Sequence, residues 1–312
     1  MKLIKPSFEI IEQKPRDIVI PADMEIGPRM WKDELINSVY RQIEIAGRTC
    51  YKSEDKITET SAKEFVDRMV KSGHGAMLEH GTVYLKVPNS VVDEGFQFGT
   101  NWSTLCLNPY TRYISDGDYY YYTTNYRVII EHDLQGVLEY LCEPTEYHEK
   151  RITVKFVCDR GVSHEFVRHR VFSFAQESTR YCNYSKAKFG KELNCIIPCW
   201  YKNMFEGNSY NIELCHTYDL TISEGLSRTE AAWIQAMCEA ESTYFGLLTE
   251  GEPAQQARNV LPLALKTELI MTGTIEQWKG FFKLRDAGSA HPQAYELAHP
   301  LHEEFIKRGW IK

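Results

Sequence analysis

The segment Arg168-His169-Arg170-Val171-Phe172-Ser173-Phe174-Ala175-Gln176-Glu177-Ser178-Thr179-Arg180 limits what this chain can fold into more than any other. It sets three permanent guanidinium charges and an imidazole among the apolar side chains of Val171, Phe172 and Phe174. Arg168 and Arg170 are close enough to repel, and their neighbours oppose free solvation. Any fold must therefore bring carboxylates to the cluster or leave room for an anion, and planar guanidinium forks suit phosphate oxygens. Local chemistry leaves two outcomes open. One is a basic turn closed as an Arg–Glu network on Glu165 and Glu177. The other is an anion site.

The rest of the composition narrows the choice. A chain of 312 residues, 43% hydrophobic and 25% charged, can bury a large core and build one big domain or two modest ones. Its net charge of −7 excludes a protein built to coat nucleic acid, so basic residues must act in a local pocket against an acidic background. No run of about 18 apolar residues is present, which argues against a membrane span. The opening Met1-Lys2-Leu3-Ile4-Lys5-Pro6 has no apolar signal core, and a cytoplasmic protein is expected. Nine irregularly spaced cysteines argue against a disulfide framework. Cys195 and Cys199 with Cys215-His216 do not make a structural-zinc pattern, so free thiols and no metal are expected. There is no Walker-type loop and no Gly-x-Gly-x-x-Gly turn, so any flavin is held without a Rossmann fingerprint.

Local signals place the motifs on elements. Ser61-x-x-Glu64 predicts a capped helix with Phe65, Met69 and Val70 inward and Gly73 as its stop. Val83, Leu85 and Val87 alternate as a strand that Pro88 ends. Asp116-Gly117 before the aromatic run from Tyr119 to Ile130 predicts a hairpin. Ile152, Val154, Phe156 and Cys158 alternate as another strand, leading into a helix expected to carry Glu165 and the Arg168 cluster. Ser227-x-x-Glu230 opens a helix to about Glu250, with Trp233, Met237 and Tyr244 on its buried side and Gly251 closing it. A short helix is expected around Gln255–Asn259 and a strand at Thr267–Met271. Thr274-x-x-Gln277 caps a helix with Trp278, Phe281, Phe282 and Arg285 on one face. That stripe reads either as an arginine snorkelling from a core face or as a guanidinium at the lip of an aromatic pocket. His291-Pro292 begins a last helix, which Pro300 should kink.

Arg168-His169-Arg170, seven residues, then Ser178 with Arg180 following, resembles the signature of the flavin-dependent thymidylate synthases. The similarity runs from about Ala46 to Leu297. It takes in Ala46-Gly47-Arg48-Thr49-Cys50-Tyr51, His74 with Leu78-Glu79-His80, and Ala257-Arg258-Asn259-Val260-Leu261-Pro262. Phe281-Phe282-Lys283-Leu284-Arg285 and His291-Pro292-Gln293 complete it.

The resemblance implies an α/β (α+β), non-Rossmann fold with a twisted, mainly antiparallel sheet flanked by helices. Residues 41–312 would form this domain and residues 1–40 an N-terminal extension; the 1–40 and 100–130 regions exceed a compact member and read as peripheral additions. The implied activity is reductive methylation of dUMP to dTMP, with 5,10-methylenetetrahydrofolate as carbon donor and FAD reduced by NADPH as hydride source. The implied assembly is a homotetramer with shared active sites. By motif, Arg285 is the catalytic group. The dUMP residues would be Glu165, Arg168, Gln176, Glu177, Ser178, Thr179, Arg180, Arg258 and Arg285. FAD would meet His74, Ala76, Arg168, His169, Arg170, Gln176, Thr274, Gly280 and His291.

Some positions depart from relatives. Ala76 replaces a hydroxyl residue, Ala175-Gln176 replaces Asn-Glu, and Thr274, Glu276 and Gly280 stand where relatives grip adenosine. The adenosine grip must therefore differ here. Two other readings are a non-catalytic nucleotide- or RNA-binding protein using the Arg168–Arg180 cluster, and a flavoprotein of this fold that has lost thymidylate synthesis. The net charge and the lack of an extended basic face oppose the first. Retention of Ser178, Arg180, Arg258 and Arg285 opposes the second.

Overall fold

The structure, a computed structural model, describes residues 1–16, 27–95, 100–213, 220–221 and 225–312; Cys215 and His216 lie outside them. Its strands are β1 Lys2–Ile4, β2 Ser7–Ile11, β3 Thr82–Pro88, β4 Arg112–Ser115, β5 Tyr119–Asn125, β6 Arg151–Asp159, β7 Ser173–Gln176, β8 Asn194–Ile196 and β9 Lys266–Thr274. A four-stranded sheet, β2-β6-β9-β7, and a three-stranded sheet, β3-β5-β4, are antiparallel throughout; β1 and β8 pair in parallel. The mixed α/β, antiparallel character matches expectation, but the strands divide over three sheets instead of one. The reason is β3, which takes β5 as its partner while Pro88 leads directly into the helix Asn89–Gly95.

The larger sheet is organised by alternation. Val154, Phe156 and Cys158 of β6 are fully buried against Trp278, Phe281 and Phe282 of helix Ile275–Arg285 and Leu301 and Phe305 of helix Pro292–Lys307. Each such aromatic side chain contributes about 1.5–3 kcal/mol by burial. Helix Ile275–Arg285 begins in the expected capping box: Gln277 N donates to Thr274 Oγ1 at 3.3 Å, and Thr274 N donates to Gln277 Oε1 at 2.8 Å. Gly273, next to that cap, lets the Phe172 ring lie on the strand, since a Cβ there would stand 2.5 Å from it. This contact seats the arginine cluster's turn against the sheet.

A second core joins Leu35, Val39 and Ile43 of helix Pro28–Tyr51 to Phe65, Val66 and Met69 of helix Ser61–Lys71 and to Val83, Leu85 and Val87 of β3. Helix Ser61–Lys71 forms without the expected capping box. Its Ser61 hydroxyl donates to Glu44 Oε2 at 2.9 Å and accepts from Thr58 N at 2.9 Å. Val70 is exposed, because the helical phase puts Val66 inward with Phe65 and Met69. Gly73 ends the helix at φ +70°, where His74 N donates to Met69 O at 3.0 Å. The Ser227–Glu230 box does form on helix Arg228–Thr249, with Tyr244 buried and Trp233 and Met237 half-buried.

Two segments expected at the periphery are woven into the sheets. β2 pairs along β6, and helix Pro28–Tyr51 runs through the expected boundary at residue 40. Hairpin β4–β5, turned at Gly117 with φ +102°, pairs with β3 and buries Tyr121 and Tyr122. No helix among the described residues is long and apolar enough to cross a membrane.

Candidate active site

Asp159 closes β6 and caps the helix Arg160–Phe166, its Oδ1 accepting from Val162 N at 2.7 Å. That helix ends at Phe166, so the arginine cluster sits not on a helix, as expected, but in the turn leading to β7. Buried Phe166 and Phe172 pin the two ends of the turn. Arg168 and Arg170 point outward between them, with no ion-pair partner among the described residues.

His169 turns inward. Its Nε2 accepts from Arg285 Nε at 3.1 Å, and its ring lies 5.1 Å from that of Phe281. Burial and the Arg285 charge push its pKa down to about 4, so the imidazole is neutral with its proton on Nδ1. Arg285 also donates from Nη1 to Glu165 Oε2 at 2.5 Å and from Nη2 to the Glu165 carbonyl at 2.8 Å. The Arg–Glu network that local chemistry allowed thus closes on Glu165, but through Arg285. Glu177 belongs to a different network: it is buried and accepts from Lys266 Nζ at 2.9 Å and from the Tyr184 hydroxyl at 3.0 Å. Neighbouring Glu268 takes Lys52, Lys155 and Lys266. Burial pushes its carboxyl up, but the lysine charges outweigh this and hold it far below the usual range.

This network supports the loop after β7. Glu177 N donates to Glu268 O at 2.8 Å, Ser178 N to Cys50 O at 3.0 Å, and Arg180 N to Ser178 Oγ at 3.4 Å. Thr179 is buried, and the exposed Arg180 guanidinium stands 5.7 Å from the Tyr181 ring centroid. Gln176 is engaged internally, donating to Ser163 Oγ at 2.8 Å and Thr267 Oγ1 at 3.2 Å. Arg258 is exposed on the short turn Arg258–Val260, with no ion-pair partner among the described residues.

A cleft of about 350 Å³ opens between the two antiparallel sheets, lined by Ala76, Glu79, Tyr110, Arg112, Arg151, Arg170, Phe174 and Thr274 among others. It unites Ala76, Arg170 and Thr274 from the residues expected at the flavin. His74 instead borders an open hollow with Tyr51 and Tyr181, its Nδ1 2.9 Å from the Tyr51 hydroxyl. Gly280 is on the outer side of its helix, and His291 sits edge-on to Trp200 at 5.9 Å. Sequence reasoning missed Arg151, Arg112 and Tyr110. Arg151 reads as the polar start of an alternating strand, and nothing local marks the other two.

Residues 144–308, over half of the chain, match the family described as thymidylate synthase complementing protein. The flavin-dependent thymidylate synthase of Pyrococcus furiosus is 30% identical over 155 residues, covering 50% of this chain and 54% of that protein. Its namesake from Mycobacterium tuberculosis is 26% identical over 143 residues, 45% of this chain and 50% of that protein. The chain thus spans about half the length of the curated relatives it matches. A crystal structure of a UMP/dUMP methylase PolB from Streptomyces cacaoi aligns with 98% of this chain and 93% of its own, at 16% identity and a TM-score of 0.40, too loose a likeness to bear on fold or function. With the arginine turn, the Arg258 segment and Arg285 all inside the matched stretch, the chain belongs to the thymidylate synthase complementing protein family, the flavin-dependent thymidylate synthases that its sequence resembles.

Proposed function

We propose that this chain catalyses the reductive methylation of dUMP to dTMP, with 5,10-methylenetetrahydrofolate as carbon donor and FAD reduced by NADPH as hydride source. The observation that carries the reading is the bond between His169 and Arg285, which joins two family-like segments 116 residues apart into one rigid group with Glu165.

Uracil is a poor carbon nucleophile until charge on its N3/O4 edge is stabilised. Arg285 spends three of its five N–H donors on its own chain, which leaves two for a ligand. A guanidinium already held in place needs little reorganisation as charge develops, and such a donor contributes on the order of a few kcal/mol in a dry site. Neutral His169 accepts at Nε and so fixes the guanidinium plane without adding a competing charge. Ser178, Thr179, Arg180 and the Glu177 main chain would grip the dUMP phosphate, with Arg258 closing from a neighbouring subunit of a homotetramer. The outward Arg168, Arg180 and Arg258, without ion-pair partners among the described residues, suit sites shared in that way. No cysteine nucleophile is needed.

The cleft suits the phosphate-bearing part of FAD in charge: Arg151 and Arg170 line it, and no carboxylate among the described residues lies at ion-pair distance from either. Arg170, Thr274 and the backbone at Ala76 would hold the cofactor, with His74, Arg168 and His291 approaching in the assembled oligomer. Bound there, FAD supplies the hydride that completes the methyl group. The test is mass-spectrometric detection of dTMP after anaerobic incubation with dUMP, methylenetetrahydrofolate, NADPH and FAD, repeated on protein stripped of flavin. Flavin-dependent dTMP is expected. A folded, FAD-loaded protein that makes none would overturn the reading.

A further inference from the structure

We propose that Arg151, with Arg112 and Tyr110 from the loop and strand leading into hairpin β4–β5, forms the grip on the pyrophosphate-bearing half of the dinucleotide. The inference rests on the reading that a flavin dinucleotide occupies the cleft. Arg151 carries the case. Burial strips water from its guanidinium and pushes its pKa below the ordinary value. Yet its partners are neutral: Nη1 donates to Glu79 O at 3.1 Å and Thr82 Oγ1 at 3.3 Å, and Nη2 to Ser173 Oγ at 3.2 Å. No carboxylate among the described residues lies within ion-pair distance of it. A desolvated charge held by neutral acceptors is costly unless a ligand brings the counter-charge.

The cleft's other charges point the same way. Its carboxylate, Glu79, already accepts from Arg127 Nη1 at 2.6 Å. Arg112 donates to the main-chain oxygens of Pro109 and Thr111 at 3.1 and 3.2 Å, and its ion pair with Glu149 is a loose 3.7 Å contact. Exposed Arg170 completes three guanidiniums around one committed acid, a positive surplus suited to two linked phosphates. Tyr110, 71% exposed at the rim, presents a flat ring for a base to cover. Arg112 and Tyr110 lie before residue 144, outside the family match, and so can replace the adenosine grip from which Thr274, Glu276 and Gly280 depart.

The test compares FAD with riboflavin, which has the same ring system and no phosphate, by flavin fluorescence titration. Wild type should prefer FAD by roughly 100-fold, the effect of two or so charge-assisted contacts. In Arg112→Gln/Arg151→Gln that preference should fall below about 5-fold while riboflavin affinity stays unchanged, which also reports an intact fold. An unchanged preference would overturn the proposal with the cofactor reading intact. If wild type takes no flavin, that reading fails first, and titration with inorganic pyrophosphate decides the rest. Pyrophosphate binding that Arg151→Gln abolishes upholds the anion grip; no pyrophosphate binding removes it.

Discussion

Arg285 and Arg151 are both half-buried guanidiniums beside the same four-stranded sheet, and they differ in what balances them. Arg285 carries its counter-charge within the chain: Glu165 contributes a carboxylate and a carbonyl, and neutral His169 occupies Nε. Arg151 is hydrogen-bonded to hydroxyls and a carbonyl, with no acid among the described residues at ion-pair distance; Glu79 and Glu149 act on it from farther away. The first arrangement is complete without a ligand, and its value lies in orientation. The second is incomplete without one, and its value lies in affinity. A site that needs both a rigid electrophilic group and a binding reserve separates the two tasks in this way.

Replacing each arginine by methionine is the largest test of the contrast. Arg285→Met strands the Glu165 carboxylate; because the two side chains are 15% and 26% exposed, the expected cost is about 2 kcal/mol, below that of a wholly buried pair. Arg151→Met should cost the ligand-free protein about 1 kcal/mol or less, since losing three hydrogen bonds is offset by removing an unbalanced charge. Thermal unfolding of the two variants checks this, and equal losses would erase the distinction.

A smaller effect is expected from Glu165→Gln, which keeps an acceptor for Nη1 but removes the charge. It should lower stability by about 1 kcal/mol and make the Arg285 region behave like that of Arg151, gaining stability from added phosphate. A phosphate response no greater than that of wild type would show that Glu165 does not neutralise Arg285.

The smallest effect is on pH dependence. His169 titrates at about 4 when folded and nearer 6.5 when unfolded, so the unfolded chain binds the extra proton between these values. Its contribution is whole above pH 6.5 and is lost as pH falls toward 4. Fully buried His80, pushed down to about 3 by desolvation, slopes the same way. His169→Gln should therefore flatten part of the stability loss across that window in chemical denaturation. An unaltered slope would mean the imidazole is not held neutral.

Several elements were legible because their causes are local. The Thr274–Gln277 and Ser227–Glu230 boxes need only residues three apart, and the β6 alternation needs only a pleat. The Ser61–Glu64 box has the same spelling and fails, because the helix takes Thr60 as its N-cap and the Ser61 oxygen accepts from Thr58 N instead. The arginine segment is a turn and not the helix its sequence predicts because Phe172 packs on Gly273, a contact across about a hundred residues of chain.

By itself the sequence determined the family and the identity of the charged groups, since a motif of arginines and a serine at set spacing is written in the chain. The tertiary structure decided which charges are balanced. Electrostatic partnership depends on distance in space, and Glu165 meets Arg285 across 120 residues, while hairpin β4–β5, outside the matched region, lies beside Arg151 at the cleft. Only folding brings one guanidinium to an acid and leaves the other waiting for an anion.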